Sequence, residues 1–198
     1  MFCKQRQSLS NLYTTAANTP KRMNILDQIR QRLFLNKLRK QPARYVRFPQ
    51  WQKVRTVLLI YDSDLMEKNS DIREIMRRLM MDNKQVSLLG YVERKDVQSP
   101  ILPQSRMLGW RDRNWFSQLR KDVITSISEN EYDLVIDLTQ TPCLPLHYAV
   151  LFARAQFKAG MHIVDGLHDF DIEMPVQESH TPLFDQIVHY LQTIESKD

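Results

Sequence analysis

A short apolar run in the second half of the chain predicts a strand buried on both faces. Residues 132–138 read Tyr-Asp-Leu-Val-Ile-Asp-Leu, with an Asp on either side of an apolar triplet. A run without alternating polar positions is typical of a parallel sheet that is covered on both faces. A polar turn and a mainly apolar stretch at residues 144–159, which predicts a helix, follow it. We therefore expect an interior strand flanked by parallel neighbours.

The rest of the chain repeats this alternation of strand and helix. Further strands are predicted at residues 56–61, 85–92, 106–108, 157–164 (broken at Gly160) and 170–174, and further helices at residues 70–81, 118–130 and 181–194. Trp110, Trp115 and Phe116 lie in an irregular segment and are predicted to form a lid or to cover an edge. The order predicts one α/β domain over residues 56–198, with an open, mostly parallel Rossmann-like sheet and helices on both faces.

A basic amphipathic helix is predicted ahead of this domain, at residues 23–40. Ile25, Ile29 and Leu33 recur at a spacing of four, and Leu26, Phe34 and Leu38 widen the apolar stripe that they form. Asn24 can cap the helix at its start, and Pro42 ends it. Residues 23–55 are therefore predicted to be a helical arm and a linker.

Charge is distributed unevenly between the arm and the domain. Residues 1–55 hold 13 basic residues and one acid, whereas residues 56–198 hold 15 basic residues and 22 acids. Such asymmetry predicts an arm that binds an anionic partner, either RNA or a membrane surface, or one that packs on its own acidic domain. The candidate residues for an anionic partner are Arg30, Arg32, Lys37, Arg39, Lys40, Arg44 and Arg47.

The first 22 residues and the cysteines bear on the extent and the compartment of the protein. Residues 1–22 contain no acid and few apolar residues, so they are predicted to be disordered or a gene-model extension ahead of Met23. Cys3 and Cys143 show no metal-binding spacing, which favours reduced thiols in the cytoplasm. No apolar run approaches the roughly 20 residues that a membrane span requires.

Polar side chains follow two of the predicted strands and form the candidate ligand site. Asp62 and Asp64 follow the first strand, and Asp137 and Thr139 lie at the end of the strand at residues 132–138. Ligands bind beyond the carboxyl ends of strands in open α/β sheets, so neighbouring strands would bring these groups to one rim. The rim could hold a cation or sugar hydroxyls. Alternatively, the same residues are ordinary turn and cap residues.

Nucleotide, metal and nucleophile motifs are missing from the sequence. The chain has four glycines and none follows the first strand, which argues against a dinucleotide fingerprint or a phosphate-binding loop. The His and Asp residues between His162 and Asp171 match no metal-site spacing, and an exposed turn is the favoured interpretation. We predict no catalytic residues, no metal and no cofactor. The sequence favours a protein that is not an enzyme.

Two resemblances add to this interpretation. Residues 132–160, with a Tyr-Asp strand, a helix and a turn ending in Gly160, resemble the acceptor-side domain of heptosyltransferase-type glycosyltransferases. Residues 23–195 are similar to a small family of uncharacterised bacterial α/β proteins. That similarity rests on the basic helix, the strand running into Asp62, the Asp-Leu-Val-Ile-Asp-Leu strand, Asn114-Trp115-Phe116, and a closing helix with Phe184, Val188, Tyr190 and Leu191. It implies the fold, a bacterial cytoplasm and a start at Met23, but no site.

The sequence as a whole favours a non-catalytic binding or accessory protein with a basic arm for an anionic partner. It would lie in the cytoplasm, either free or at the periphery of a membrane. The alternative is a sugar- or nucleotide-related, glycosyltransferase-like domain with its ligand at the carboxyl ends of the strands.

Overall fold

The computed structural model describes residues 24–63, 70–95, 97 and 105–194. The predictions made for residues 1–22, Cys3 and Asp64 lie outside these residues. The described strands are β1 Thr56–Asp62, β2 Gln85–Tyr91, β3 Ser105–Leu108, β4 Glu131–Asp137, β5 Arg154–Met161 and β6 Phe170–Ile172. The described α-helices are α1 Ile25–Arg39, α2 Ser70–Met81, α3 Lys121–Ser128, α4 Leu144–Phe152 and α5 Thr181–Thr193.

The six strands form one parallel sheet in the order β3-β2-β1-β4-β5-β6. The chain moves outward from β1 to β3, then returns to place β4 on the other side of β1. This reversal makes the carboxyl ends of β1 and β4 the switch point, where open α/β sheets form a crevice. The predicted mostly parallel, Rossmann-like sheet is confirmed.

Two apolar cores, one on each face of the sheet, hold the helices in place. Helices α2 and α5 pack on one face, and α1, α3 and α4 supply buried residues on the other. The side chains of β4 divide between the faces, because Leu134 and Ile136 join the first core while Val135 joins the second. All three are fully buried, and each contributes about 1.5–3 kcal/mol of burial free energy.

The predicted position of β4 inside the sheet is confirmed. Val135 pairs with Leu58 of β1 on one side and with Lys158 of β5 on the other, and both neighbours are parallel. The continuous apolar run therefore reflects burial on both faces, as its sequence indicates.

The predicted apolar stripe of α1 is buried on one side only. Ile25 is 74% exposed and Ile29 43% exposed, whereas Phe34 is 1% exposed and belongs to the core under α4. The ring of Phe34 meets the ring of Tyr148 edge-on, with 5.0 Å between their centroids. The helix therefore packs through the Phe34 side of the predicted stripe, and the two isoleucines at its other edge are exposed.

The boundary between α4 and β5 also differs from the prediction. The helix ends at Phe152 instead of continuing to residue 159, and Ala153 already has an extended backbone. Polar Arg154 and Gln156 then alternate with less exposed residues, which is the two-residue period of a strand. The strand is also unbroken at Gly160, which pairs with both neighbouring strands. No helix within the described residues is long and apolar enough to cross a membrane.

Candidate functional site at the strand ends

Three residues lie side by side across the carboxyl end of the sheet, in perfect register. Asp137 of β4 pairs with Gly160 of β5, and Gly160 pairs with Asp171 of β6. The ring of His168 lies against Gly160, where a Cβ atom would come within 2.6 Å of its Nε2. A glycine on the middle strand is therefore what lets one imidazole bridge the carboxylates of the two outer strands.

His168 is held between these carboxylates by both of its ring nitrogens. Nε2 lies 3.0 Å from Oδ2 of Asp137, and Nδ1 lies 2.8 Å from Oδ1 of Asp171. Burial alone would lower the pKa of His168, but the hydrogen bonds to Asp137 and Asp171 and their charges raise it to about 9. The ring is therefore an imidazolium at neutral pH, and it donates one N–H hydrogen bond to each carboxylate.

A second histidine occupies a matching position at the end of β1. Nε2 of His180 lies 3.3 Å from Oδ1 of Asp62, and its Nδ1 lies 2.9 Å from Oδ2 of Asp71 on α2. The backbone N–H of His180 also donates to Asp71, at 2.8 Å. Burial opposes the charged form, but the bonds to Asp62 and Asp71 raise the pKa of His180. This histidine ties the start of α5 to the switch point.

The structure therefore places Asp62 and Asp137 on neighbouring strands, but pairs each with a histidine. The side chain of Asp137 is 2% exposed, and its second oxygen accepts a hydrogen bond from the backbone N–H of Thr139 at 3.0 Å. The hydroxyl of Thr139 is buried and has no hydrogen-bond partner among the described residues. A ligand could reach Asp137 only by displacing His168, whereas Asp62 remains partly exposed.

The predicted basic residues divide into paired and unpaired groups. Arg30 donates to Asp27 and to the backbone carbonyl of Trp115, and Arg44 pairs with Asp169. Lys37 lies 5.3 Å from the centre of the Tyr148 ring. Arg47 is exposed and also has a partner. Exposed side chains without an ion pair to any described carboxylate belong to Arg32, Arg39 and Lys40.

These three cations share the outward side of α1 with the two exposed isoleucines. Residues 25, 29, 32, 39 and 40 follow the helical spacing that brings side chains onto one face. We call the set the outer stripe of α1; it is apolar toward the start of the helix and basic toward its end. Trp115, 73% exposed, and Phe116, 40% exposed, lie in the segment that Arg30 fastens to the helix.

A cavity of about 530 Å³ lies between α1, the start of α4 and the residues that follow β2. His147 of α4 lines it and is 2% exposed, and neither ring nitrogen has a hydrogen-bond partner among the described residues. Burial lowers the pKa of His147 to about 4, so the ring is neutral at pH 7. Cys143 lines the same cavity, and burial raises the pKa of its thiol to about 12.

Sequence reasoning did not identify His147 and His180 as parts of a site. Neither lies in a sequence motif. Each is surrounded by residues that are distant in the chain, as His180 is by Asp62. The segment between His162 and Asp171 did stand out in the sequence, but only as a candidate metal site. No three His, Cys, Asp or Glu side chains among the described residues are placed to hold a metal ion.

Comparison with known proteins identifies the family. A family model matches residues 27–194. The chain therefore belongs to DUF6913, a family of unknown function. The predicted membership in a family without an assigned activity is confirmed. No curated protein matches this DUF6913 chain in sequence.

A structural similarity to a glycosyltransferase is also found. The E. coli heptosyltransferase WaaC, solved with ADP, is 13% identical to the DUF6913 chain over the aligned region, with a TM-score of 0.47. The alignment covers 72% of this chain and 48% of the heptosyltransferase, so the chain spans about half the length of that protein.

Proposed function

We propose that this protein is a non-catalytic accessory protein that binds the surface of an anionic membrane through the outer stripe of α1. The observation that carries the proposal is the set of three unpaired cations, Arg32, Arg39 and Lys40, on the same helix face as two exposed isoleucines. The domain behind the arm is acidic, yet these cations do not contact its described carboxylates. They therefore remain available to an outside partner.

Charge supports an anionic partner of this kind. A basic residue near an anionic lipid surface contributes about 1 kcal/mol at physiological salt, so Arg32, Arg39 and Lys40 together contribute roughly 3 kcal/mol. This attraction weakens as salt rises, because the charges are exposed and act over about one Debye length.

The apolar part of the stripe favours a membrane over RNA. Ile25 and Ile29 can enter the boundary between headgroups and acyl chains, but aliphatic side chains cannot stack on bases. Trp115 lies beside this helix, and tryptophan is one of the two side chains enriched at membrane–water interfaces. The inner face of α1 is meanwhile occupied by Phe34, so docking on the domain leaves the outer stripe exposed.

The alternative, a sugar- or nucleotide-related enzyme that uses the rim of Asp62 and Asp137, has less support. Both oxygens of Asp137 are engaged, and histidines occupy the ends of both strands. A ligand at that rim would compete with one buried and one partly exposed charged pair.

The test is co-sedimentation of the full chain with phosphatidylcholine vesicles that contain about 30% phosphatidylserine. We expect binding at about 50 mM salt that falls steeply by about 300 mM, and little binding to pure phosphatidylcholine. The variant Arg32→Gln/Arg39→Gln/Lys40→Gln should bind roughly tenfold to a hundredfold more weakly. A truncation ahead of Thr56 is unsuitable as a test, because it would remove Phe34 from the core.

The matched control removes three exposed cations from other elements. Lys53→Gln/Arg73→Gln/Arg94→Gln makes the same change in net charge, and it should leave vesicle binding within about twofold. An equal loss in both triple variants would show a general charge effect and contradict the proposal. Binding to poly(U) RNA without binding to the anionic vesicles would contradict it as well.

A further inference from the structure

We propose that the loop at residues 113–119 is a preformed membrane anchor that places Trp115 and Phe116 at the level of the lipid headgroups. We call these residues the aromatic loop. This inference rests on the proposed membrane binding and adds to it a second contact, outside α1. The partner is the same anionic bilayer, and the loop supplies apolar contacts that the outer stripe of α1 does not contain.

The aromatic loop carries two large apolar side chains that the fold does not bury. Trp115 is 73% exposed and Phe116 is 40% exposed. The other tryptophans of the chain have protein partners, because Trp51 belongs to the core and Trp110 lies close to the ammonium group of Lys95. Exposed apolar side chains that lie next to each other indicate a surface that binds a partner, whereas scattered single ones do not.

Hydrogen bonds within the aromatic loop hold it in one shape. Oδ1 of Asn114 accepts hydrogen bonds from the backbone N–H of Phe116, at 2.9 Å, and from that of Gln118, at 3.1 Å. Ser117 has a φ of +58°, a left-handed conformation that residues other than glycine rarely adopt, and its hydroxyl accepts from Arg113 at 3.1 Å. Because this shape is formed in advance, the loop loses little conformational entropy when it binds.

Arg30 fastens the aromatic loop to α1. Its Nε and Nη2 atoms lie 3.2 Å and 2.8 Å from the carbonyl oxygen of Trp115, and its Nη1 lies 2.9 Å from Oδ1 of Asp27. The loop therefore lies beside the first turns of the helix, where Ile25 and Ile29 form the apolar part of the outer stripe. A bilayer that receives these isoleucines would have the loop next to it.

Basic residues surround the aromatic loop although the domain that carries it is acidic. Residues 110–121 hold four basic residues and one acid, whereas residues 56–198 hold 15 basic residues and 22 acids. Arg120 and Lys121 of this group are exposed. Positive charge around apolar side chains suits an anionic bilayer, because the headgroups attract the charge and the acyl boundary receives the apolar groups.

The first measurement is the tryptophan fluorescence of the full chain on vesicles of phosphatidylcholine and phosphatidylserine. We expect the emission to shift to the blue on binding, because the exposed indole of Trp115 leaves water. Lipids brominated close to the headgroup should quench it more than lipids brominated near the bilayer centre, since tryptophan favours the interface. In Trp115→Phe most of the shift and of the quenching should disappear while the protein stays bound.

The second measurement compares the affinities of two double variants for the same vesicles. Trp115→Ala/Phe116→Ala should weaken binding roughly tenfold, because apolar area buried in the interface is lost. The dependence on salt should not change, because no charge is removed. Met80→Ala/Met81→Ala is the matched control; it removes two exposed apolar side chains of α2 and should leave binding within about twofold.

The outcomes separate the loop from the proposed membrane binding. Vesicle binding by Trp115→Ala/Phe116→Ala within about twofold of the unmodified chain would overturn the anchor and leave binding through the outer stripe of α1 intact. An emission spectrum that does not change on bound vesicles would overturn it too. Failure of the unmodified chain to bind the vesicles would overturn both proposals. Binding to poly(U) RNA that depends on Trp115, without vesicle binding, would assign the aromatic pair to base stacking instead.

Discussion

Nε2 of His168 lies 3.0 Å from Oδ2 of Asp137, although the two residues are 31 positions apart in the chain. The contact fastens the segment after β5 to the centre of the sheet, and Asp171 completes it on the other side of the imidazole. Both His168 and Asp137 are almost fully buried, so the charge of one is balanced only by its neighbours. One of the carboxylates expected at the switch point of the sheet is thus engaged in an ion pair that spans β4 to β6.

Replacement of Asp137 by Asn should destabilise the protein through His168. An amide cannot balance a buried imidazolium, and losing one partner of a buried pair costs about 3–5 kcal/mol. Because Asp171 still binds the other nitrogen, we expect a loss of about 3 kcal/mol in the free energy of unfolding. Urea denaturation measures the loss. Asp122→Asn, at an exposed carboxylate, should change stability by less than about 0.5 kcal/mol, and equal losses would contradict the assignment.

The part of the stability that comes from His168 should fall as the pH rises from about 6.5 toward 9, whereas Lys158, whose pKa burial lowers to about 8, acts in the opposite direction above that pH. The pKa of His168 is raised from 6.5 to about 9 in the folded protein, so folding favours the protonated ring. The resulting stabilisation is fully present below the unfolded pKa and disappears as the pH passes the folded one; it amounts to about 3 kcal/mol. His180, whose pKa is also raised, acts in the same direction.

Urea denaturation at a series of pH values between 6 and 9.5 measures this dependence. In His168→Gln the slope over that range should be clearly smaller, because only His180 then contributes among these two histidines. A slope unchanged by His168→Gln would show that His168 does not carry a raised pKa.

The sheet could be predicted from the sequence because it follows from local patterns. The Leu-Val-Ile triplet of β4 is buried on both faces, and its pattern already required parallel neighbours. The bounds of α2 match the prediction, since its apolar face repeats with helical spacing and ends at a polar turn. Local periodicity is what such elements depend on.

The site could not be predicted because it depends on distant pairings. Asp137 and Asp62 were expected at the strand ends and are found there, but nothing near them in the chain indicates that His168 and His180 bind them. The predicted stripe of α1 was too wide for a related reason. Several apolar residues of α1 could occupy its one buried face. The gap beside α4 has the shape that fits Phe34.

Phe34→Ala should therefore be much more harmful than Ile25→Ala. Removing a fully buried phenyl ring costs about 3–5 kcal/mol, because the ring's burial is lost and a cavity remains. Ile25 is largely exposed, and its replacement should change the free energy of unfolding by less than about 0.5 kcal/mol. Thermal and urea unfolding of the full chain compare the two variants. Losses of similar size would mean that α1 also docks on the domain through Ile25.

Gly160→Ala should destabilise the protein by crowding His168. An added Cβ would lie 2.6 Å from Nε2 and 2.7 Å from Cε1 of the imidazole, which cannot move away because carboxylates hold it on both sides. Overpacking of this kind costs about 1–3 kcal/mol, and the displaced ring should also lose part of its raised pKa.

Gly166→Ala is the control for this substitution, because it tests backbone strain without crowding. Gly166 has a φ of +75° and open space around its Cα, so alanine there should cost about 1 kcal/mol and leave the pKa of His168 unchanged. NMR titration of the His168 ring in both variants separates the two effects. A His168 pKa that stays the same in Gly160→Ala would mean that the imidazole does not need the bare glycine to reach both carboxylates, and the bridge across β5 would have to be explained in another way.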